Sequence, residues 1–194
     1  MSQRILFIHG LASSGKYKMA DQLRILLKGV EVLSPDVPFD PDEALPFLRN
    51  LCDEFQPDLL VGHSLGGFIT QKLRGWRKAL VNAPFYSSDY LRTMKGEMQW
   101  LSPRADGAKT FMITDEICDK YKELELHEFD GLTQEEMDRT IAFFAKDDNV
   151  VRHGDIYEQR YGKPGISYPG GHQPIFPEMK QYIVPAIKDF CGWL

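Results

Sequence analysis

A chain of 194 residues that is 43% hydrophobic and 12% aromatic can bury one substantial core, and its length fits a single domain better than two. Its 23 basic and 28 acidic residues leave a net charge of −5, which argues against general attraction to phosphate backbones or anionic lipid, so no nucleic-acid partner is expected. The apolar run Ile5-Leu6-Phe7-Ile8 stops at His9-Gly10, far short of the ~20 residues of a membrane span, and no signal-peptide cleavage pattern follows it; no membrane association and a cytoplasmic location are expected.

In chain order, residues 4–9 read as a short buried strand entering a polar, glycine-containing turn. Met19, Leu23, Leu26 and Leu27 then share one side of a helix over about 17–28. Residues 30–33 form a second strand. Pro35, Pro38 and Pro41 hold the next stretch irregular, until Asp42-Glu43 opens a helix toward Phe55 with its acidic residues at the positive end. Residues 59–62 are a third strand and 65–73 have helical spacing, so the chain passes from strand to helix through His63-Ser64 with almost no loop. Further strands are expected at 78–81, 140–145 and 166–168, and a last amphipathic helix at 178–190. Strands alternating with helices imply an α/β protein with a mostly parallel sheet covered on both faces. Residues 86–132 break the alternation, with Tyr, Trp and Met among charges and a helical pattern at 116–126. They read either as ordinary connecting helices or as a small inserted lid within one domain spanning 1–194.

The chemistry concentrates at Gly62-His63-Ser64-Leu65-Gly66, a Gly-x-Ser-x-Gly string between a buried strand and a helix. A turn this tight needs glycine where side chains would strike the neighbouring strand and helix, and it throws the serine hydroxyl outward above the sheet. That hydroxyl is unreactive at neutral pH without an oriented base. His172, in the loop Tyr168-Pro169-Gly170-Gly171-His172 after the last strand, is preferred over His9, His63, His127 and His153. The acid should follow a late strand, where Asp147 and Asp148 compete; Asp148 is favoured because Val151, three positions on, would tuck the turn into the core. Backbone N–H groups of Leu65, after the nucleophile, and Leu11, after the first strand, are the expected oxyanion donors.

Two competing motifs fail. Ser13-Ser14-Gly15-Lys16 resembles part of a phosphate loop, but Tyr17 stands where a Mg²⁺-binding hydroxyl is required. Cys52, Cys118 and Cys191 are widely separated and lack any Cys-x-x-Cys pair, so neither a disulfide framework nor a zinc knuckle is suggested.

With His9-Gly10 after the first strand, Gly62-His63-Ser64-Leu65-Gly66, Asp148-Asn149-Val150-Val151 and Gly171-His172 in Ser, Asp, His order, the chain resembles an α/β-hydrolase. Its small size, its start at the strand before His9-Gly10-Leu11 and its single insertion are similar to the small bacterial YqiA/YcfP-type esterases. The resemblance implies a minimal parallel sheet, a Ser–His–Asp triad and hydrolysis of short acyl esters or thioesters through an acyl-enzyme, with no metal or cofactor. One departure is Ala145-Lys146-Asp147, where relatives often carry a glycine before the acid. On this reading Trp100, Phe111, Tyr121, Met94, Met98 and Met112 of the insertion should contribute to the acyl-pocket wall, since so many large apolar groups must pack somewhere. The alternative is a non-catalytic small-molecule-binding module on the same fold.

Overall fold

A computed structural model describes residues 2–193. The chain runs β1 (Gln3–Ile8), α1 (Lys18–Leu26), β2 (Val30–Leu33), α2 (Pro41–Phe55), β3 (Leu59–His63), α3 (Leu65–Gln71), β4 (Lys78–Val81), α4 (Ser88–Thr93), β5 (Gly96–Gln99), β6 (Thr110–Ile113) and α5 (Asp115–Leu126). It continues through α6 (Gln134–Asp138), β7 (Thr140–Ala145), α7 (Gly154–Tyr161), β8 (Ile166–Tyr168), α8 (Phe176–Glu178), a π-helical turn (Met179–Ile183) and α9 (Val184–Cys191). Six strands make one parallel sheet in the order β2-β1-β3-β4-β7-β8, while β5 and β6 form a separate antiparallel ribbon in which Met98 faces Phe111.

Side chains alternate across a strand, and both faces of this sheet are apolar. Ile5, Phe7, Val61, Val81 and Phe143 pack with α1 and the C-terminal helix, through Met19, Leu23, Ile183 and Ile187. Their neighbours Leu6, Ile8 and Leu60 pack on the other face with α2, α3 and α5, through Leu48, Phe68 and Tyr121, and Leu80 and Ala142 pack with Tyr157 and Tyr161 of α7. Each such side chain contributes about 1.5–3 kcal/mol on leaving water, so burial on both faces explains strands that read as continuous apolar runs.

Local signals set the element ends. Asp40 caps α2 by accepting the Asp42 N–H at 2.9 Å, with Pro41 in the first turn, and Gln56 closes the helix in the left-handed region at φ 49°. Pro185 has no N–H to donate, and its ring crowds the carbonyl one turn back; the π turn falls immediately before it. Among the described residues no helix is long and apolar enough to cross a membrane.

Segment 86–132 is α4, the β5–β6 ribbon and α5, so it contains a hairpin as well as helices. Ten residues separate the two strands of that ribbon, without the two-residue Gly turn that would announce a hairpin. Glu125 of α5 accepts N–H bonds from Ser87 and Ser88 and the Ser88 hydroxyl at 2.7 Å, tying the start of α4 to α5. All connections that follow β1, β3, β4, β7 and β8 emerge at the carboxyl edge of the sheet, the edge at which ligands bind in open α/β sheets.

Candidate active site

Ser64 sits between β3 and α3 with φ 53° and ψ −128°, a conformation that costs a non-glycine residue on the order of 1–3 kcal/mol. The turn closes because its glycines have no side chains. A Cβ on Gly62 would lie 2.3 Å from Thr70 Oγ1, and one on Gly66 would lie 2.3 Å from the carbonyl oxygens of Ile8 and His9. α3 therefore starts flush against β1 and β3, and the serine is left on the outside of the bend.

Three loops bring Ser64, His172 and Asp148 into one hydrogen-bonded line. The Ser64 hydroxyl and His172 Nε2 are 2.8 Å apart, and His172 Nδ1 lies 2.8 Å from Asp148 Oδ2. Asp148 is 1% exposed, and its other oxygen accepts the N–H groups of Val150 at 2.7 Å and Val151 at 3.0 Å. A buried carboxylate so placed accepts a hydrogen bond from Nδ1–H, which leaves Nε2 as an acceptor for the serine O–H. Asp147 is exposed and turned to the glycine loop, where its N–H donates to the Gly170 carbonyl and its Oδ2 faces the Gly170 N–H at 3.4 Å.

The other histidines are engaged elsewhere. His9 accepts the Val37 N–H on Nε2 at 3.0 Å, so its proton sits on Nδ1, facing the Gly10 carbonyl; burial pushes its pKa down to about 4. His153 accepts the Phe85 N–H, and His127 lies exposed beside Asp130, which raises its pKa. His63 is 3% exposed and donates from Nε2 to the His172 carbonyl at 2.8 Å, while its ring stacks on Tyr17. Burial lowers its pKa to about 4 as well.

Asn82 was not singled out from the sequence. It follows β4 with φ 48°, is fully buried, and donates from Nδ2 to the Tyr168 hydroxyl and the His172 carbonyl, both at 2.8 Å. Its Oδ1 accepts the Ala145 N–H at 2.8 Å. The signal available in the sequence was an amide residue directly after a buried strand, where its polar groups must find partners and where Asn tolerates positive φ.

Among the described residues the N–H groups of Leu11 and Leu65 have no partner. Leu11 borders both cavities that open on Ser64, and Leu65 borders the smaller of them. One cavity, about 200 Å³, is lined mostly by apolar residues, Leu11, Leu65, Pro84, Tyr86, Tyr90, Leu91, Val150 and Val151, with Ser64, Ser87 and His153. A second, about 450 Å³, is lined by Lys16, Tyr17, Lys18, His63, Leu101, Ser102, His172 and Gln173, among others.

The large apolar residues of the insertion lie mostly away from these cavities. Met94, Met98 and Phe111 pack into the core beneath α2 and α5, Met112 is half exposed, and Trp100 and Tyr121 border a small separate cavity behind Leu65 and Gly66. Tyr86, Ser87, Tyr90, Leu91, Leu101 and Ser102 are the residues of segment 86–132 that reach the Ser64 cavities. In the Ser13–Lys16 loop the Ser14 hydroxyl donates to the Pro103 carbonyl and the Gly15 N–H donates to Asp36. Among the described residues no three His, Cys, Asp or Glu side chains converge as a metal site requires.

No curated protein is significantly similar to the chain in sequence. Many solved structures share its fold. They include a monoacylglycerol lipase from Paleococcus ferrophilus, with a TM-score of 0.66, 14% identity and coverage of 97% of this chain and 93% of that one. A methylesterase from Arabidopsis has a TM-score of 0.61, 15% identity and coverage of 96% and 99%. The thioesterase domain of the curacin biosynthetic pathway has a TM-score of 0.58, 15% identity and coverage of 98% and 91%. The family model described as "Alpha/beta hydrolase family" matches residues 5–181, which takes in the elbow, the acid loop and the His172 loop, and the chain belongs to that family.

Proposed function

We propose that the protein is a serine hydrolase of small carboxylic esters or thioesters, acting through Ser64, His172 and Asp148, like the small bacterial YqiA/YcfP-type esterases it resembles. The observation that carries this reading is the unbroken line from the Ser64 hydroxyl through His172 to Asp148, both contacts at 2.8 Å, with the serine on a strained turn where two cavities meet.

As Ser64 Oγ bonds to the acyl carbon, His172 Nε2 takes its proton and Asp148 stabilises the imidazolium through the Nδ1–H. The N–H groups of Leu11 and Leu65 receive the developing oxyanion. The proton then passes from Nε2 to the leaving oxygen or sulfur as its bond to the acyl carbon breaks. Water, activated by the same nitrogen, attacks the acyl-serine, releasing the carboxylic acid and restoring Ser64. The apolar cavity of about 200 Å³ suits a short acyl chain, and segment 86–132 acts as its cover through Tyr86, Tyr90 and Leu91. Proteins of this fold that are named as a lipase, a methylesterase and a thioesterase support ester or thioester chemistry by analogy of fold.

The test is covalent labelling with a fluorophosphonate probe together with turnover of aryl esters and acyl thioesters of graded chain length. Labelling at Ser64, lost in Ser64→Ala along with turnover, is the expected result. A folded protein that neither labels nor turns over any member of the panel would be a non-catalytic binding module.

A further inference from the structure

The two cavities at Ser64 differ in chemistry, and the proton transfer required of His172 decides what each receives. On the hydrolase reading, Nε2 must hand its proton to the leaving atom, so the leaving group lies in a cavity that His172 lines. His172 lines the 450 Å³ cavity and is absent from the wall of the 200 Å³ one, which Leu65 lines; Leu11 borders both. The acyl chain therefore takes the smaller cavity, and the leaving group takes the larger one.

That larger cavity has Lys16 and Lys18 in its wall and no carboxylate. Lys72, Lys78, Lys95, Lys120 and Lys122 each face an acidic partner; Lys16 and Lys18 belong to the lysines that form no ion pair among the described residues, and of those they are the two that line a cavity at Ser64. Their backbone is held in place: the Gly15 N–H donates to Asp36 Oδ1 at 2.7 Å, the Lys16 N–H to the Ser14 hydroxyl at 3.1 Å, and the Tyr17 ring stacks between Phe7 and His63. Ser13, Ser102 and Gln173 add neutral donors to the same wall. In a chain of net charge −5, two unpaired cations facing an acid-free cavity beside the nucleophile form a local anion subsite, and screening confines the repulsion of the remaining surface to about 8 Å at physiological salt.

We propose that the substrate's leaving group is an alcohol or thiol bearing an anionic group, phosphate or carboxylate, that Lys16 and Lys18 receive. This rests on the hydrolase reading and adds the substrate class to it.

The experiment compares three butyrate esters with similar leaving alcohols: 1-butyryl glycerol, 1-butyryl glycerol 3-phosphate and 3-butyryl glycerate. Two exposed lysines predict a kcat/KM preference of roughly tenfold for an anionic ester at low salt, falling toward parity near 1 M salt. Preference for the phosphate ester alone assigns the anion as phosphate, and equal preference for both assigns the charge rather than its geometry. The Lys16→Gln/Lys18→Gln variant should lose the preference while cleaving the neutral ester within about twofold of the parent rate. Equal turnover of all three esters, or a preference that survives in the double variant, overturns the anion subsite and leaves the hydrolase reading standing. Failure of all three esters together with absent fluorophosphonate labelling overturns both.

Discussion

Asn82 Nδ2 donates a hydrogen bond of 2.8 Å to the backbone carbonyl of His172, joining the end of β4 to a loop 90 residues away. His63 Nε2 donates to the same oxygen at 2.8 Å, so the His172 backbone is gripped from β3 and β4 at once. Asn82 also holds the Ala145 N–H at the end of β7, just ahead of Asp148, and so couples the His172 and Asp148 loops. Asn82→Ala should therefore misplace His172, lowering kcat about 10- to 100-fold with little change in KM, because near-attack geometry is sensitive to small displacements. Its stability cost should be about 1–3 kcal/mol for each buried group left unsatisfied. Steady-state kinetics and urea denaturation separate the two effects. If activity falls only with the folded fraction, the role of Asn82 is purely structural.

Ser64→Ala and His172→Ala should each reduce ester turnover by ~10⁴-fold or more, and the double variant should be no worse than either, because the pair acts as one unit. Near-normal turnover in either single variant removes the proposed mechanism. Far-ultraviolet circular dichroism should show an intact fold in both.

Asp148→Asn should lower kcat by up to ~10⁴-fold, since an amide cannot stabilise the imidazolium and favours the wrong tautomer of His172. Asp147→Asn should stay within a few-fold of the parent, because that side chain is exposed and faces Gly170 rather than the imidazole. The reverse ranking would move the acid one residue earlier.

Burial holds His9 and His63 at a pKa of about 4 in the folded protein against 6.5 when unfolded. A depressed histidine pKa means that the unfolded chain binds protons first as the solution is acidified. The stability is complete above pH 6.5, falls as the pH drops from 6.5 to 4, and falls no further on this account below 4. Each histidine contributes at most about 3 kcal/mol of that loss. His63→Gln keeps a donor for the His172 carbonyl and removes one titrating group, so its urea midpoint should fall less steeply between pH 7 and 4.5. Identical slopes in parent and variant would contradict the assignment.

Tyr90 lines both cavities at Ser64, whereas the Trp100 ring packs tilted against Phe111 with centroids 4.3 Å apart and has the Arg104 guanidinium over it at 4.3 Å. Tyr90→Ala should shift the preferred acyl length across a graded ester series while leaving the melting temperature nearly unchanged, because the side chain is 52% exposed. Trp100→Ala should act chiefly on stability, with a uniform effect on all chain lengths. A chain-length shift at Trp100 instead of Tyr90 would place the acyl chain in the small cavity behind Leu65.

Much of this protein is written locally. The runs that became β1, β3, β4 and β7 are mostly apolar, as strands buried on both faces require apart from polar residues that find a partner, such as Lys78 on Glu136, so strand positions and the parallel sheet follow from the sequence. The Ser64 elbow is equally local: Gly62 and Gly66 allow a turn that any Cβ would block, and the pattern carries its own geometric reason. His172 and Asp148 could be nominated by loop position, but their 2.8 Å contacts exist only because β3, β7 and β8 end at one edge of the sheet. The position of Asn82 directly after a buried strand signals only that its amide must find partners; which partners it clamps, Tyr168, His172 and Ala145, is not local, because they lie 63 to 90 residues away. The same holds for segment 86–132. Trp100, Phe111 and Met98 announce that they must be buried, but which surface buries them depends on the ribbon that pairs Met98 with Phe111 and on the helices that meet it. Hydrophobic burial rewards area without direction, so composition selects the residues that leave water, and only the assembled sheet and its crossovers decide which of them come to face Ser64.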